Sequence, residues 1–236
     1  VAYKGKGASN TYDGLTPQQP LSTIAQGLTQ CVTGRGDTVV LLPGSITVTA
    51  AIAITKDDVT LTGYRNSSPH QRSSSVIVNA TDVNTITIDA NDVTLENFTL
   101  DDNVATATAD TAAIAVNTAS SATDYTGTVI RNVYIDMEGA DTDRDGITLG
   151  LAGDASDGAI RSLVEGCVIW DCGQDAIVVA TGSENCVIKN NFIKDDHTIT
   201  TRFGVEVVGT GCWVDGNVIE VSDTSGACVH LAVAAS

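Results

Sequence analysis

The sequence is poor in positive charge, in aromatic residues and in long apolar runs. Lys and Arg number 12 against 29 Asp and Glu residues, which gives a net charge of −17. A surface of that sign repels phosphate backbones and anionic lipid, so we predict no nucleic-acid partner and no membrane partner. No segment reaches the ~18 consecutive apolar residues that a membrane helix needs. Aromatic residues make up 4% of the chain, which is few for a sugar-binding cleft.

The sequence also lacks the familiar motifs of catalysis and metal binding. It contains no Gly-x-Ser-x-Gly, no phosphate loop and no His-Glu-x-x-His. The six cysteines form no C-x-x-C pair, and the chain of 236 residues is too long to need a disulfide framework. Most of them are flanked by apolar residues, so we interpret them as buried thiols. What remains is rich in Thr, Val, Ile, Ala, Asn and Asp, the composition of strands and tight turns.

A repeated pattern runs through most of the chain. Six segments read apolar-x-apolar-x and then Asn or Gly, and a second short apolar run follows in most of them. Asn and Gly tolerate a left-handed backbone, so each repeat is predicted to turn a corner at that residue. The intervals between corners are 34, 35, 34, 24 and 26 residues. The six corner residues are Gly63, Asn97, Asn132, Gly166, Asn190 and Gly216.

A third strand precedes each later corner, with a small residue followed by apolar-x-apolar. These segments begin at Ala113, Gly146, Ala176, Gly204 and Cys228. Three short strands per repeat can wind into a solenoid in which each strand pairs in parallel with its equivalent one coil away. Loops such as 117–127 and 151–161 absorb the differences in repeat length.

These residues resemble the right-handed parallel β-helix family, the pectate-lyase-like superfold. The segment 20–28 carries a helical apolar stripe, and the strand Gly36 to Gly44 reads Gly-Asp-Thr-Val-Val-Leu-Leu-Pro-Gly. In that family a short amphipathic helix covers the N-terminal mouth of the coils, and a strand of this kind begins the first coil. The resemblance covers roughly residues 16–231 and implies an all-β, three-stranded parallel solenoid with a short N-terminal capping helix.

The predicted organisation is an N-terminal arm over 1–20 and a single β-helix domain over 21–236. Within that domain, the helix cap occupies 21–32 and the coils 36–233. The chain opens at Val1, which fits either a trimmed initiator Met or a removed leader. No capping helix follows Leu231, so we expect a partner subunit, a further segment or a short loop to cover the last coil.

Two acidic arrangements are candidate catalytic groups. Glu206 and His230 occupy the same outward position on consecutive coils, where they suit either a general acid/base pair or an ordinary cross-strand salt bridge. Asp145 and Asp175 also fall on consecutive coils. Carboxylates about 5 Å apart could form a retaining glycosidase pair or bind Ca²⁺.

The segment 141–146 places carboxylates at alternate positions, which makes Asp141, Asp143 and Asp145 the candidate Ca²⁺ ligands. It lacks the Glu that closes an EF-hand, and an acidic turn that aids solubility is the other interpretation. No cofactor is otherwise required.

Four further residues are candidates for contacting a substrate. Arg144 and Arg202 could clamp a sugar carboxylate bidentately, or they could balance the neighbouring aspartates. Trp170 and Trp213 are predicted to point outward, either as stacking platforms for sugars or as interface residues in an oligomer.

Two function classes therefore remain open. The first, which we favour, is a non-catalytic structural or adhesive β-helix of a virion, such as a phage decoration or tail protein, or of a cell surface. The resemblance implies a homotrimer for such a protein, with a polysaccharide as a candidate ligand. The second is a polysaccharide lyase or glycoside hydrolase acting on an acidic polysaccharide, with Ca²⁺ as a candidate cofactor. The catalytic strings of the polygalacturonases (Asn-Thr-Asp, Gly-His-Gly and Arg-Ile-Lys) are missing, which weakens the second class.

Overall fold

A computed structural model of the chain describes residues 8–64, 71–79, 81–102, 104, 111–118, 123–137, 144–151, 154–195, 203–221 and 227–231. The described strands form three parallel sheets of seven strands each. The chain runs through the first, second and third sheet in turn, so each circuit is one coil of a right-handed parallel β-helix. The predicted fold class is therefore confirmed.

The three sheets have the following strands. The first sheet contains β1 (Asp37–Leu41), β4 (Val59–Gly63), β7 (Thr94–Glu96), β11 (Val129–Arg131), β15 (Leu163–Glu165), β18 (Val187–Lys189) and β21 (Trp213–Asp215). The second contains β2 (Gly44–Val48), β5 (Ser75–Asn79), β8 (Thr99–Asp102), β12 (Tyr134–Asp136), β16 (Val168–Trp170), β19 (Phe192–Asp195) and β22 (Val218–Val221). The third contains β3 (Ile52–Ile54), β6 (Ile86–Ile88), β9 (Thr111–Val116), β13 (Arg144–Leu149), β17 (Ile177–Val179), β20 (Phe203–Val207) and β23 (Ala227–Leu231). A short pair, β10 (Tyr125–Thr126) and β14 (Ala159–Ile160), lies beside them.

The core fills the interior of the coils with rows of aliphatic side chains. Because equivalent strands pair in register, Leu100, Ile135 and Ile169 stack directly on one another in the second sheet. All three are completely buried. Period-two alternation in each short strand sends one set of side chains inward and the other outward. The register therefore fixes which outward side chains are neighbours.

The predicted N-terminal helix is present as α1, Ile24–Gln30. The hydroxyl of Thr23 accepts a hydrogen bond from the amide of Gln26 and caps its first turn. Ile24 and Leu28 are buried against the first coil. At the other end, Lys56 Nζ donates to the carbonyl oxygens of Leu28 and Thr29, which offsets the unpaired carbonyls there. No helix in the described ranges is long and apolar enough to cross a membrane.

Five of the six predicted corners have the left-handed backbone, with φ between 52° and 65°: Asn97, Asn132, Gly166, Asn190 and Gly216. Gly63 differs, because it continues β4 and pairs with Leu41. A Cβ atom at Gly63 would lie 2.0 Å from the carbonyl oxygen of Asn97. Glycine is thus needed there for the close approach of the next coil and not for a positive φ.

Candidate functional site

The outward row of the third sheet brings Glu206 and His230 together as predicted. They are opposite each other in the pairing of β20 with β23, and His230 Nδ1 lies 3.1 Å from Glu206 Oε1. The ring of Phe203 stacks on the imidazole with centroids 4.1 Å apart. The side chains keep 24% and 40% of their accessible surface, so the pair is open to solvent and to a small ligand.

Asp145 and Asp175 also meet on consecutive coils, but each carboxylate is turned toward the backbone. Asp145 Oδ1 accepts from the amide of Asp175 at 3.0 Å, and Asp175 Oδ1 accepts from the amide of Phe203 at 2.6 Å. Each aspartate thus pairs with an amide N–H of the following coil. Such bonds stabilise the stack, because a buried amide without a partner is costly.

The same arrangement recurs elsewhere in the coils. The amide of Ala112 donates to Asn84 Oδ1 at 2.7 Å, and Asn84 occupies the equivalent position two coils before Asp145. On another edge, Asp57 Oδ1 accepts from the amide of Asn91 at 2.8 Å. In turn, Asn91 Oδ1 accepts from the amide of Thr126 at 3.0 Å. Asp145 and Asp175 therefore belong to a recurring set of Asp and Asn side chains that accept hydrogen bonds from the next coil.

Arg144 does not reach the outer surface where a sugar would bind, so its predicted role in a substrate clamp is corrected. Its side chain is completely buried, and Nη2 lies 2.7 Å from Oδ2 of the equally buried Asp102. Nη1 donates to Thr111 Oγ1, and Nη2 donates to the carbonyl of Val83 at 3.1 Å. The guanidinium therefore binds buried partners within the coils and not a ligand at the surface.

The two tryptophans point outward, as predicted, but in different surroundings. Trp213 is 65% exposed at the end of the first sheet. Trp170 is half-buried in the second sheet, and Lys194 Nζ lies 4.7 Å from its ring centroid. This cation–π contact covers one ring face. Trp213 thus has the freer surface of the two for stacking on a ligand or a partner.

Three predicted residues lie outside the described ranges: Asp141, Asp143 and Arg202. In the described part of the chain, no group of three or more His, Cys, Asp or Glu side chains is placed to hold a metal ion. The Ca²⁺ loop therefore stays a prediction.

Sequence reasoning missed a cluster on the outer face of the second sheet. Arg72 lies over the ring of Tyr134, 5.2 Å from its centroid, and forms an ion pair with Asp136. Tyr134 and Asp136 are both outward residues of β12, so their proximity was readable from the strand pattern. Arg72 comes from a loop without a repeat pattern, and no signal in the sequence located it.

Several solved structures are similar to the chain. A GH136 lacto-N-biosidase from Eubacterium ramulus has a TM-score of 0.53 at 11% identity, covering 93% of this chain and 55% of that one. Pectin methylesterase PemA from Erwinia chrysanthemi has a TM-score of 0.47 at 14% identity, and the match covers 89% of this chain and 65% of that one. ORF18 of Geobacillus virus E2 has a TM-score of 0.43 at 12% identity, and the match covers 98% of this chain and 62% of that one. The chain spans less than two thirds of each of these structures, and at such identities the likeness shows the fold alone.

No protein-family model matches the sequence, and no curated protein matches it either.

Proposed function

We propose that the chain is a non-catalytic structural or adhesive β-helix, a component of a virion or of a cell surface that assembles as a homotrimer and contacts glycans. The observation that carries this proposal is the use of Asp145 and Asp175. Their carboxylates accept hydrogen bonds from the amides of Asp175 and Phe203, so they join coils. A carboxylate that is held by an amide of the next coil suits a structural role.

Assembly is supported by apolar side chains that remain exposed on the coil formed by β21, β22 and β23. Trp213 is 65% exposed, Val218 58% and Leu231 70%. The three lie on three different sheets, and burying each of them in an interface would be favourable. Of the two tryptophans, Trp213 is also the better placed to stack on a sugar ring or on a neighbouring subunit.

The enzymatic alternative depends on Glu206 and His230. A carboxylate 3.1 Å from an imidazole can orient the ring for proton transfer. Both side chains lie on the outer face of the third sheet and are partly exposed, which favours a polysaccharide lyase or glycoside hydrolase using this pair. The first proposal treats the same pair as a cross-strand ion pair.

Light scattering on the purified protein tests the assembly. The expected result is the mass of a trimer, about three times 24.3 kDa, unchanged by EDTA. A monomeric mass at micromolar concentration would contradict the trimer. A dissociation caused by EDTA would instead point to a Ca²⁺ site in the acidic loop.

Product assays on pectins, polygalacturonate and other uronate polymers test the absence of catalysis. We expect no new reducing ends and no unsaturated product. The matched control is the ion pair of Glu165 with Lys189, which also spans two coils at 3.1 Å. Product formation that is lost in His230→Ala and Glu206→Gln but kept in Glu165→Gln would replace the structural proposal with the enzymatic one.

A further inference from the structure

Two thiols are stacked on consecutive coils of the first sheet. Cys186 directly precedes β18 and Cys212 directly precedes β21, and the register pairs Val187 with Trp213. The amide of Trp213 donates to the carbonyl of Cys186 at 2.8 Å. Neighbouring parallel strands lie about 4.8 Å apart, so the two Cα atoms have about that separation. Disulfide-linked residues have Cα atoms about 4.4–6.8 Å apart, and this pair falls within that range.

The two thiols differ in their access to solvent. Cys186 is completely buried in the core, and its Sγ lies 3.0 Å from the carbonyl oxygen of Ala159. Cys212 packs against the same core but is only partly buried, with its Sγ 3.5 Å from the carbonyl oxygen of Thr210. A reagent in solution can therefore reach Cys212 and cannot reach Cys186.

The electrostatic surroundings separate the two thiols in the same direction. A hydrogen bond from the Cys186 thiol, aided by the backbone amides of Cys186 and Asn185, lowers the pKa of Cys212 to about 7. Partial burial and the charge of Glu184 act against this lowering. The same hydrogen bond and burial raise the pKa of Cys186. Cys212 is thus the more acidic of the two thiols as well as the more accessible one.

We propose that Cys212 and Cys186 form a thiol-modification site for low-molecular-weight disulfides of the glutathione class. The proposal rests on the stacked positions of an accessible thiol and a buried one, an arrangement typical of an attacking and a resolving cysteine. It does not depend on the function proposed above.

The reaction has two exchange steps. The Cys212 thiolate attacks one sulfur of the small disulfide, which forms a mixed disulfide on Cys212 and releases one thiolate. Cys186 then loses its proton and attacks the Cys212 sulfur, which forms the Cys186–Cys212 bond and releases the second thiolate. The protein loses two hydrogens and the small disulfide is reduced to two thiols. The product ties the sixth and seventh strands of the first sheet covalently.

The test uses the reduced full-length protein and oxidised glutathione over a pH series, with acid quench, alkylation and peptide mass mapping. A Cys228→Ser background removes the thiol that is already exposed on β23. We expect Cys212 to react with a midpoint near pH 7 and the Cys186–Cys212 disulfide to be the end product. Cys186→Ser should stop at the mixed disulfide on Cys212, and Cys212→Ser should leave Cys186 unmodified.

Two results would overturn the proposal. One is a reaction midpoint of Cys212 above about 8.5, the value of an ordinary thiol. The other is a mixed disulfide on Cys212 that persists in the protein retaining Cys186, since the stacked thiol should resolve it. Both are read from protein with Cys186 and Cys212 intact, so they do not depend on the folding of either cysteine variant.

Discussion

Arg144 and Asp102 form a fully buried ion pair between the second and third sheets. Asp102 Oδ1 accepts from Asn79 Nδ2 at 3.0 Å, and Oδ2 accepts from Thr85 Oγ1 at 2.8 Å as well as from Arg144. Asp82 lies 3.6 Å from the same guanidinium. These partners compensate part of the desolvation of the two charges, although the buried Nε of Arg144 has no hydrogen-bond partner.

Removing one member of this ion pair should destabilise the fold, because the other member stays buried without its partner. Asp102→Ala is expected to lower the free energy of unfolding by about 3 kcal/mol, because Arg144 would be left as a buried charge with only partial compensation. The control is Arg35→Ala, which breaks the Arg35–Asp37 pair at its exposed member and leaves the bond from the Val32 amide to Asp37 in place, so it should cost far less. Denaturant unfolding monitored by circular dichroism measures both. Equal costs for the two variants would refute the burial argument.

At the scale of single residues, the sequence predicts the contacts that strand register determines. It does not predict the contacts that depend on the direction in which a side chain points. Glu206 meets His230 because in-register coils place equivalent residues together. Arg144 stands beside Asp143 and Asp145, which the sequence offers as its partners, yet its side chain is buried against a carboxylate 42 positions earlier in the chain. A pattern of strands cannot reveal such a partner.

The corners between the first and second sheets combine a left-handed backbone with tight stacking. At Gly166 φ is +63°, and a Cβ atom would lie 2.8 Å from Asn132 Oδ1 of the previous coil. At Gly216 the corresponding distance to Asn190 Oδ1 is 2.5 Å. In these two pairs, glycine at the second corner leaves room for the asparagine side chain of the first.

Gly166→Ala should therefore cost more than the strain of the positive φ alone. Gly34 supplies the comparison, because its φ is +73° and a Cβ atom there would have nothing within 4 Å. We expect Gly34→Ala to cost about 1 kcal/mol and Gly166→Ala about 2 kcal/mol or more. Equal unfolding midpoints for the two variants would show that the asparagine contact contributes nothing.

Behind these corners, asparagine side chains form a ladder across three coils, in which Asn191 is buried and Asn217 partly buried. Asn191 Oδ1 accepts from the amide of Cys167 at 2.9 Å, and its Nδ2 donates to the carbonyl of Val164 at 3.1 Å. Asn217 Oδ1 accepts from the amide of Asn191 at 2.9 Å, and Asn217 Nδ2 donates to the carbonyl of Ile188 at 2.9 Å. The ladder satisfies backbone groups that the turn leaves unpaired.

Replacing Asn191 by Leu should leave several of these groups without partners. Asn191 is 1% exposed, so water cannot substitute, and we expect a loss of about 2–4 kcal/mol in denaturant unfolding. Hydrogen exchange should also become faster at the amide of Cys167. Retention of wild-type stability and of that protection would contradict the ladder's role.

At the scale of the whole molecule, the solenoid was predictable because its signal repeats. The third-sheet strands, their register and five of six left-handed corners all followed from one pattern seen several times. The candidate site was less predictable, since its chemistry depends on which way Asp145 and Asp175 turn their carboxylates. Both orientations, toward solvent or toward the next amide, suit the same alternation of residues.

The excess of negative charge should make the stability of the fold depend on salt. Raising NaCl from about 0.01 M to about 0.1 M shortens the Debye length from about 30 Å to about 10 Å. Because the net charge is −17, weaker self-repulsion should raise Tm by roughly 2–4 °C, equivalent to about 1 kcal/mol. Calorimetry at the two salt concentrations checks this. A Tm that falls with salt would indicate that attractive ion pairs dominate.

The structural use of Asp145 and Asp175 is tested most directly by the denaturant midpoints of two double variants. Asp145→Asn with Asp175→Asn keeps an oxygen to accept from the next coil, whereas Asp145→Ala with Asp175→Ala removes both acceptors. We predict that the alanine pair loses about 2–4 kcal/mol and that the asparagine pair loses less than half as much. An alanine pair as stable as the wild type would contradict the structural role and return both carboxylates to the candidates for catalysis.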